Sequence, residues 1–165
     1  MIICMSTSDL PLLQNPALAA FLLAFFIKEY QERTASTELP SFEKILLVLP
    51  LIFHEPSRQA ILSKNFATPL HAAIEDGPLI IDRISDRISA YSRQTGIALN
   101  ICCASGLIKA NRANNGLTFS FLHQNWPRGS QPRTIPKKML NSLSRLANWF
   151  KDMSVAELYQ ILRII

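Results

Sequence analysis

The sequence has few charged residues and few glycines for its length. Charged side chains make up 18% of its 165 residues and hydrophobic ones 48%, whereas charged residues are roughly 25% of a typical globular domain. Its five glycines form no dinucleotide-binding loop, and no GxxxxGK[ST] phosphate-binding loop is present, so this chain is not expected to bind ATP. A small chain of this composition has more apolar surface than one core can ordinarily use. A well-filled helical core would explain it, but we expect that a partner covers part of the surface.

Cysteine and histidine are also scarce, and their positions exclude further chemistries. The three cysteines, Cys4, Cys102 and Cys103, are an odd number with two adjacent, which is not a disulfide framework and fits a reducing cytoplasm. The three histidines share no metal-ligand spacing, and adjacent cysteines on a helix diverge by about 100°. We therefore expect core cysteines, no metal site and no cofactor.

No long hydrophobic run marks a signal peptide or a membrane span. The first ten residues lack a basic region and a long apolar core. Residues 10–27 are apolar but are interrupted by Pro11, Gln14, Asn15 and Pro16, and a membrane helix needs about 20 apolar residues. Met5 is an alternative start. We expect a cytoplasmic protein without membrane contact.

The densest apolar run, residues 45–53, is expected to be the central helix. It has no polar face, so it must be covered on all sides. Pro50 predicts a kink or an end, because an interior proline removes a backbone donor. His54 lies just before Glu55-Pro56, where the helix is expected to end. Ser57 is then predicted to cap a short second helix.

Helices are also predicted at both ends of the chain. Asn15 is a good N-cap and Pro16 occupies the first helical position, so a helix is predicted over residues 17–33, buried in its first half. Residues 137–151 predict a helix with an apolar stripe that includes Leu143 and Phe150. Ser154 is expected to cap a short final helix.

Residues 65–122 predict three short helices followed by a hairpin. Thr68-Pro69 begins the first helix and Gly77 ends it. The second is amphipathic with period 3.6, and its charged residues, Arg87 among them, are expected to be solvated. Thr95 is predicted to cap the third helix, residues 96–104. Asn115-Gly116 between residues 107–111 and 117–122 is a strong hairpin signal.

These patterns predict a fold that is mainly α with a small β-hairpin. Three short helices followed by a hairpin is also the order of elements in a winged helix. The expected architecture is a helical bundle packed on a winged-helix-like unit, forming a single compact domain. Its parts are an N-terminal tail (1–14), a helical half (15–64), the winged-helix-like unit (65–122), a Pro/Arg-rich loop (123–136) and C-terminal helices that close the core (137–165).

The segment His54, Glu55, Ser57 and Arg58 contains the residue types of a nucleophilic site. Such a site needs the serine, the base and the orienting group within hydrogen-bond reach. Here they are nearly consecutive at a helix break, where their side chains are expected to diverge, so no catalytic residue is expected. His54 and Arg58 are predicted to tie the break to neighbouring backbone or to contact a partner. Other candidate partner contacts are the tryptophans Trp126 and Trp149.

Basic residues are concentrated in the second half and account for the net charge of +5. They are candidates for phosphate-backbone contact, which gives affinity for nucleic acid without sequence preference. An acidic partner surface or simple solvation would also explain them. Trp126 could stack on a base or anchor its loop. The third predicted helix has no positive charge and is poorly suited to reading base edges. The candidate phosphate contacts are Lys109, Arg112, Arg128, Arg133, Lys137 and Lys138.

Three blocks of the chain resemble a known family. They are Asn15-Pro16-Ala17 opening a long apolar helix, LPLIFHEPSRQAI at 49–61, and LANWF at 146–150 followed by a short closing helix. In order and spacing they resemble the middle component of three-component ABC-ATPase systems (ABC-3C). These are bacterial conflict systems, of which the Lamassu-type anti-phage and anti-plasmid complexes are the best-known branch.

The resemblance implies a non-enzymatic scaffold subunit that bridges an SMC-like ABC ATPase and an effector, expected to be a nuclease. It would help to hold the effector inactive until foreign DNA is sensed, with DNA contacted through the complex and independently of sequence. The Pro/Arg-rich loop departs from the family pattern. Two alternatives remain open from the residues: a free-standing winged-helix DNA-binding regulator that forms a homodimer, and an enzyme that uses His54.

Overall fold

The computed structural model of the protein describes residues 15–130 and 135–164. This part of the chain is mainly helical with one two-stranded antiparallel sheet, which confirms the predicted fold class. The predicted N-terminal tail lies outside the described residues. The elements, in chain order, are α1 (Pro16–Arg33), α2 (Phe42–Ile45), α3 (Val48–Ile52), α4 (Glu55–Leu62), α5 (Leu70–Asp76), a 3₁₀ turn (Pro78–Ile80), α6 (Ile84–Ala104), β1 (Ile108–Ala113), β2 (Gly116–Phe121), α7 (Lys137–Lys151) and α8 (Val155–Ile161).

Helix α1 lies at the centre of the packing, with α6 and α7 against it. Its start is as predicted: the Asn15 side chain accepts a hydrogen bond from the Leu18 N–H at 3.0 Å, and Pro16 is the first helical residue. Most residues from Ala19 to Tyr30 are buried. The apolar first half of α1 therefore forms the middle of the core.

The apolar run at 45–53 is buried as predicted, but its helix breaks one turn before Pro50. Helix α2 ends at Ile45 and α3 begins at Val48. Pro50 has no N–H to donate to the Leu46 carbonyl four residues earlier, and its ring crowds that carbonyl. The chain turns again after Phe53, and α4 makes an angle of 99° with the α2–α3 segment. The predicted interruption near Pro50 is thus confirmed, and the central helix consists of two short helices.

One lysine is buried in this core. Lys44 is 4% exposed, and its Nζ donates to Tyr30 Oη at 2.8 Å, to the Phe150 carbonyl at 2.9 Å and to Glu38 Oε1 at 3.1 Å. Burial and the hydrogen bond to Glu38 raise the pKa of Tyr30 above its usual value. Burial acts to raise the pKa of Glu38, but the hydrogen bonds from Tyr30 and Lys44 together outweigh it. The net pKa is lowered, so the carboxylate stays ionised. The group joins α1, α2 and α7.

The prediction of three short helices in residues 65–122 was wrong. Gly77 does end α5, but a 3₁₀ turn follows, and Arg83 (φ 48°) separates it from a single 21-residue helix, α6. Thr95 caps nothing, because it lies fully buried in the middle of α6. Tyr91, Thr95, Ala98 and Cys102 keep one buried stripe along the helix, so packing overrides the local helix-breaking signals. The winged-helix order is not confirmed.

The predicted hairpin is confirmed. Strands β1 and β2 pair antiparallel from Ile108↔Phe121 to Ala113↔Gly116, with a two-residue turn between them. The outer edge of β2 is covered by the residues just before α2 and by α1. The Phe119 N–H donates to the Pro40 carbonyl at 3.1 Å, and the Gln31 side chain accepts from the Phe121 N–H at 2.9 Å. The hairpin is therefore fixed to the helical core through β2.

The C-terminal helices have the predicted bounds and caps. Helix α7 packs its apolar stripe against α1, α3 and α4. Ser154 caps α8 in a capping box, in which Ser154 Oγ accepts from the Glu157 N–H and Glu157 accepts from the Ser154 N–H. The five-part division of the chain stays a prediction.

Within the described ranges, no single helix is long and apolar enough to cross a membrane. The bent pair formed by residues 42–52 and 55–62 would pass by length and composition alone.

Candidate functional site

The break between α3 and α4 is organised by His54 rather than by Ser57. His54 has an extended backbone, and its Nδ1 accepts a hydrogen bond from the Ser57 N–H at 3.3 Å, so His54 is the N-cap of α4. The Ser57 hydroxyl is fully buried within 3.1 Å of the Leu79 and Ile80 carbonyls. The predicted Ser57 cap was wrong because this hydroxyl points to the 3₁₀ turn instead.

Arg87 of α6 reaches into the same break. Its guanidinium donates to the carbonyls of Pro50 at 2.7 Å, Ile80 at 2.8 Å and Asp82 at 2.9 Å, and to Ser57 Oγ at 3.1 Å. The expected solvated position of Arg87 was therefore wrong. A signal was present in the sequence, because Arg87 lies three residues after Ile84 and four before Tyr91, on the buried face of the helix.

At neutral pH, Arg87 is charged and the His54 ring beside it is neutral. Burial and the charge of Arg87 lower the pKa of His54 to about 4. Burial lowers the pKa of Arg87 to about 10, so the guanidinium remains protonated. His54 Nδ1 lies 2.8 Å from Ser57 Oγ, so the side chains do not diverge as expected. The buried hydroxyl bonds to backbone carbonyls and to Arg87, which makes the group a structural link among α3, α4, the 3₁₀ turn and α6.

Arg58 ties the same break from its other side. Its Nη1 donates to the Ile52 carbonyl at 2.6 Å, the end of α3. The prediction that His54 and Arg58 bind the break to neighbouring backbone is thus confirmed. Their contact with a partner stays a prediction.

The two tryptophans are held within the chain. Trp149 is 6% exposed, and its Nε1 donates to the Thr68 carbonyl at 2.8 Å, which ties α7 to the segment before α5. The Trp126 ring lies 4.8 Å from those of Phe21 and Phe121. Trp126 therefore anchors its loop on α1 and β2, one of the two roles expected for it. Contact of either tryptophan with a partner stays a prediction.

The basic candidates are exposed, but they do not all share one surface. Lys109 and Arg112 are three residues apart on β1, so their side chains leave opposite faces of the hairpin. Arg145, also in the basic segment, turns inward to the carbonyls at the end of α4. Arg133 lies outside the described residues. The exposed candidates are Lys109, Arg112, Arg128, Lys137 and Lys138.

Exposed apolar residues form a second kind of surface. Ile97 and Ile101 lie one turn apart on α6 and are 43% and 37% exposed. On a different face of α6, a shallow groove of about 220 Å³ runs between α6 and the hairpin. It is lined mainly by apolar side chains, including Leu99, Leu117 and Phe119. Sequence reasoning missed this groove because residues from α2, α6 and both strands form it together.

The cysteines are core residues in the described part of the chain. Burial raises the pKa of Cys102 to about 12, and its thiol donates to the Ala20 carbonyl. Cys103 is partly buried and lines the groove. Within residues 15–130 and 135–164 there is no group of three His, Cys, Asp or Glu side chains placed to hold a metal ion.

Comparison with known proteins places the chain in a family. No curated protein matches it significantly, and neither does a solved structure. Residues 7–165 match the family model described as "ABC-three component (ABC-3C) system Middle Component 3". The match covers nearly the whole sequence and includes all three blocks that carried the resemblance. The chain belongs to the Middle Component 3 family of ABC-three component systems.

Proposed function

We propose that this chain is a non-catalytic scaffold subunit that bridges an SMC-like ABC ATPase and an effector in a bacterial defence complex. The effector is proposed to be a nuclease, held inactive until foreign phage or plasmid DNA is sensed, and the complex is proposed to act in the cytoplasm. DNA would be contacted through the assembly and independently of sequence. Assignment to the Lamassu branch stays a prediction.

The family match over residues 7–165 carries this proposal, because a middle component is by name one part of a three-component assembly. The structure adds physical support. The Ser57 hydroxyl and the His54 ring, which in sequence suggested a nucleophile, stabilise a helix break. The exposed pair Ile97 and Ile101 and the groove between α6 and the hairpin supply apolar surface of the kind that protein interfaces cover.

Co-expression with the neighbouring ABC ATPase and third component tests the proposal. We expect one complex on size-exclusion chromatography, with a mass that requires all three chains. A homodimer that leaves both neighbours unbound would contradict it.

Binding of duplex DNA by the isolated chain distinguishes the scaffold function from the alternative of a DNA-binding regulator. Scaffold function predicts no binding tighter than about 1 µM at physiological salt, because the basic residues are dispersed. If tighter, salt-dependent binding is seen and Lys137→Glu with Lys138→Glu abolishes it, the regulator function replaces the scaffold.

A further inference from the structure

The outer edge of β1 carries backbone groups that point away from the hairpin. In an antiparallel pair, residues that exchange hydrogen bonds alternate with residues whose N–H and C=O point outward. The Leu122 N–H donates to the Leu107 carbonyl at 3.0 Å. With the observed register, Ala110 and Arg112 are therefore outward-pointing positions of β1. Phe119, opposite Ala110, shows the same alternation, because its N–H leaves the hairpin to reach Pro40.

The two edges of the hairpin differ in what covers them. The outward groups of β2 bind Pro40 and the Gln31 side chain. Among the described residues, none makes a hydrogen bond to the outward N–H or C=O groups of Ala110 and Arg112, and both residues are exposed. An exposed strand edge of this kind is a template for another strand.

The surroundings of this edge indicate what kind of strand would fit. The Ala110 side chain lies on the hairpin face that lines the apolar groove, with Leu117 and Phe119. Lys109 and Arg112 flank Ala110, and the chain has no acidic residue between Asp86 and Asp152. Because side chains of an added strand alternate between its two faces, a segment that alternates apolar and acidic residues would place the apolar ones over the groove and the acidic ones on the opposite face, beside Lys109.

We propose that β1 accepts an extended, acidic strand from another component of the ABC-3C system by β-augmentation. Main-chain hydrogen bonds to Ala110 and Arg112 supply affinity, and the groove takes apolar side chains of the added strand. A second copy of this chain fits less well, because pairing of two β1 strands would bring four basic side chains into one sheet whose strands contain no acidic residue. The identity of the partner rests on the proposed function.

Ala110→Pro tests the edge directly. The Ala110 N–H points outward, so proline removes a donor to the added strand without removing a β1–β2 hydrogen bond. Ala110→Thr is the matched control, because it keeps the N–H. In the co-expressed complex, we expect Ala110→Pro to abolish co-elution of the partner and Ala110→Thr to retain it. The amides of Ala110 and Arg112 should exchange with deuterium rapidly in the isolated chain and slowly in the complex.

Charge reversal covers the case in which Ala110→Pro fails to fold. Lys109→Glu with Arg112→Glu leaves the backbone unchanged and should also release the partner. If the wild-type complex forms but tolerates both substitutions, with rapid exchange at Ala110 and Arg112, the β1 proposal is overturned while the scaffold function stands. Slow exchange at these amides in the isolated chain would also overturn it, since a segment of this chain or a second copy then covers the edge.

A peptide titration decides the matter even if no three-component complex forms. The probe is a blocked ten-residue peptide of alternating valine and glutamate, and its control carries N-methyl groups on the amides that would donate to β1. We expect the unmethylated peptide to bind at least about tenfold more tightly, which corresponds to one or two net hydrogen bonds. Equal affinities, or no binding, would overturn the proposal.

Discussion

The Arg87 side chain of α6 joins three other segments of the chain, which are α3, α4 and the 3₁₀ turn. It reaches backbone carbonyls before and after the α3–α4 break and the buried hydroxyl of Ser57. A charged donor that satisfies several carbonyls is difficult to replace, because its loss leaves acceptors unpaired. Arg87 therefore holds α6 in place against α3 and α4.

Replacing Arg87 with methionine should destabilise the fold strongly. Methionine keeps the length of the side chain but none of its hydrogen bonds, so we expect a loss of about 3 kcal/mol in the free energy of unfolding. The control is Arg93→Met at an exposed position of the same helix, with an expected change within about 0.5 kcal/mol. Urea unfolding followed by circular dichroism measures both. Equal effects would show that the Arg87 contacts contribute little.

His54 should make the fold sensitive to mild acid. Its pKa is lowered to about 4 from the usual 6.5, so the unfolded chain takes up a proton before the folded chain does. The contribution of His54 to stability is complete above pH 6.5 and is lost as the pH falls to about 4. His54→Asn keeps an N-cap acceptor without a titrating group. We expect a flatter profile of unfolding free energy against pH between these limits.

The matched control for this prediction is His71→Asn, which removes an exposed imidazole from α5. It should keep the wild-type slope. The unfolding free energy is measured by urea titration from pH 7 to pH 4.5. If His54→Asn also keeps the wild-type slope against pH, the lowered pKa of His54 does not cause the pH dependence of stability.

At the scale of elements, the helices with paired start signals were predictable. Asn15-Pro16 begins α1, Ser154 begins α8, and Gly77 ends α5. Each of these signals acts within one turn, either by accepting a hydrogen bond from a free backbone N–H or by ending the helix. Helix α6 was not predictable in this way. Thr95 and Gly96 look like a helix start, yet the buried stripe on both sides makes one long helix more favourable than two short ones.

The capping box of α8 gives the element-scale prediction. Ser154→Ala removes the acceptor for the Glu157 N–H, and we expect a loss of about 1 kcal/mol in the free energy of unfolding. Ser154→Asp should retain most of it. The control is Ser89→Ala, at an exposed position inside α6, where alanine should be neutral or slightly stabilising. Thermal unfolding compares the variants, and equal effects of Ser154→Ala and Ser89→Ala would rule out a capping contribution.

At the scale of the whole molecule, the distribution of apolar residues is more informative than their number. Most apolar residues fill the core around α1. Ile97 and Ile101 are exposed one turn apart on α6, and an apolar groove that includes Ala110 of β1 lies between α6 and the hairpin. The candidate partner surface therefore combines apolar contact, open backbone groups and basic side chains, none of which is identified by composition alone.

The sequence by itself determined the helical class, the hairpin, the capped starts of α1 and α8 and the family, because these depend on interactions within a few residues or on the order of short blocks. The tertiary structure alone decided which carbonyls Arg87 binds, that His54 caps α4 and that Lys109 and Arg112 leave opposite faces of the hairpin. It also decided that the outer edge of β1 has no hydrogen-bond partner among the described residues. Each of these depends on contacts between segments distant in the sequence, whose relative placement is set by packing against the core rather than by local propensity.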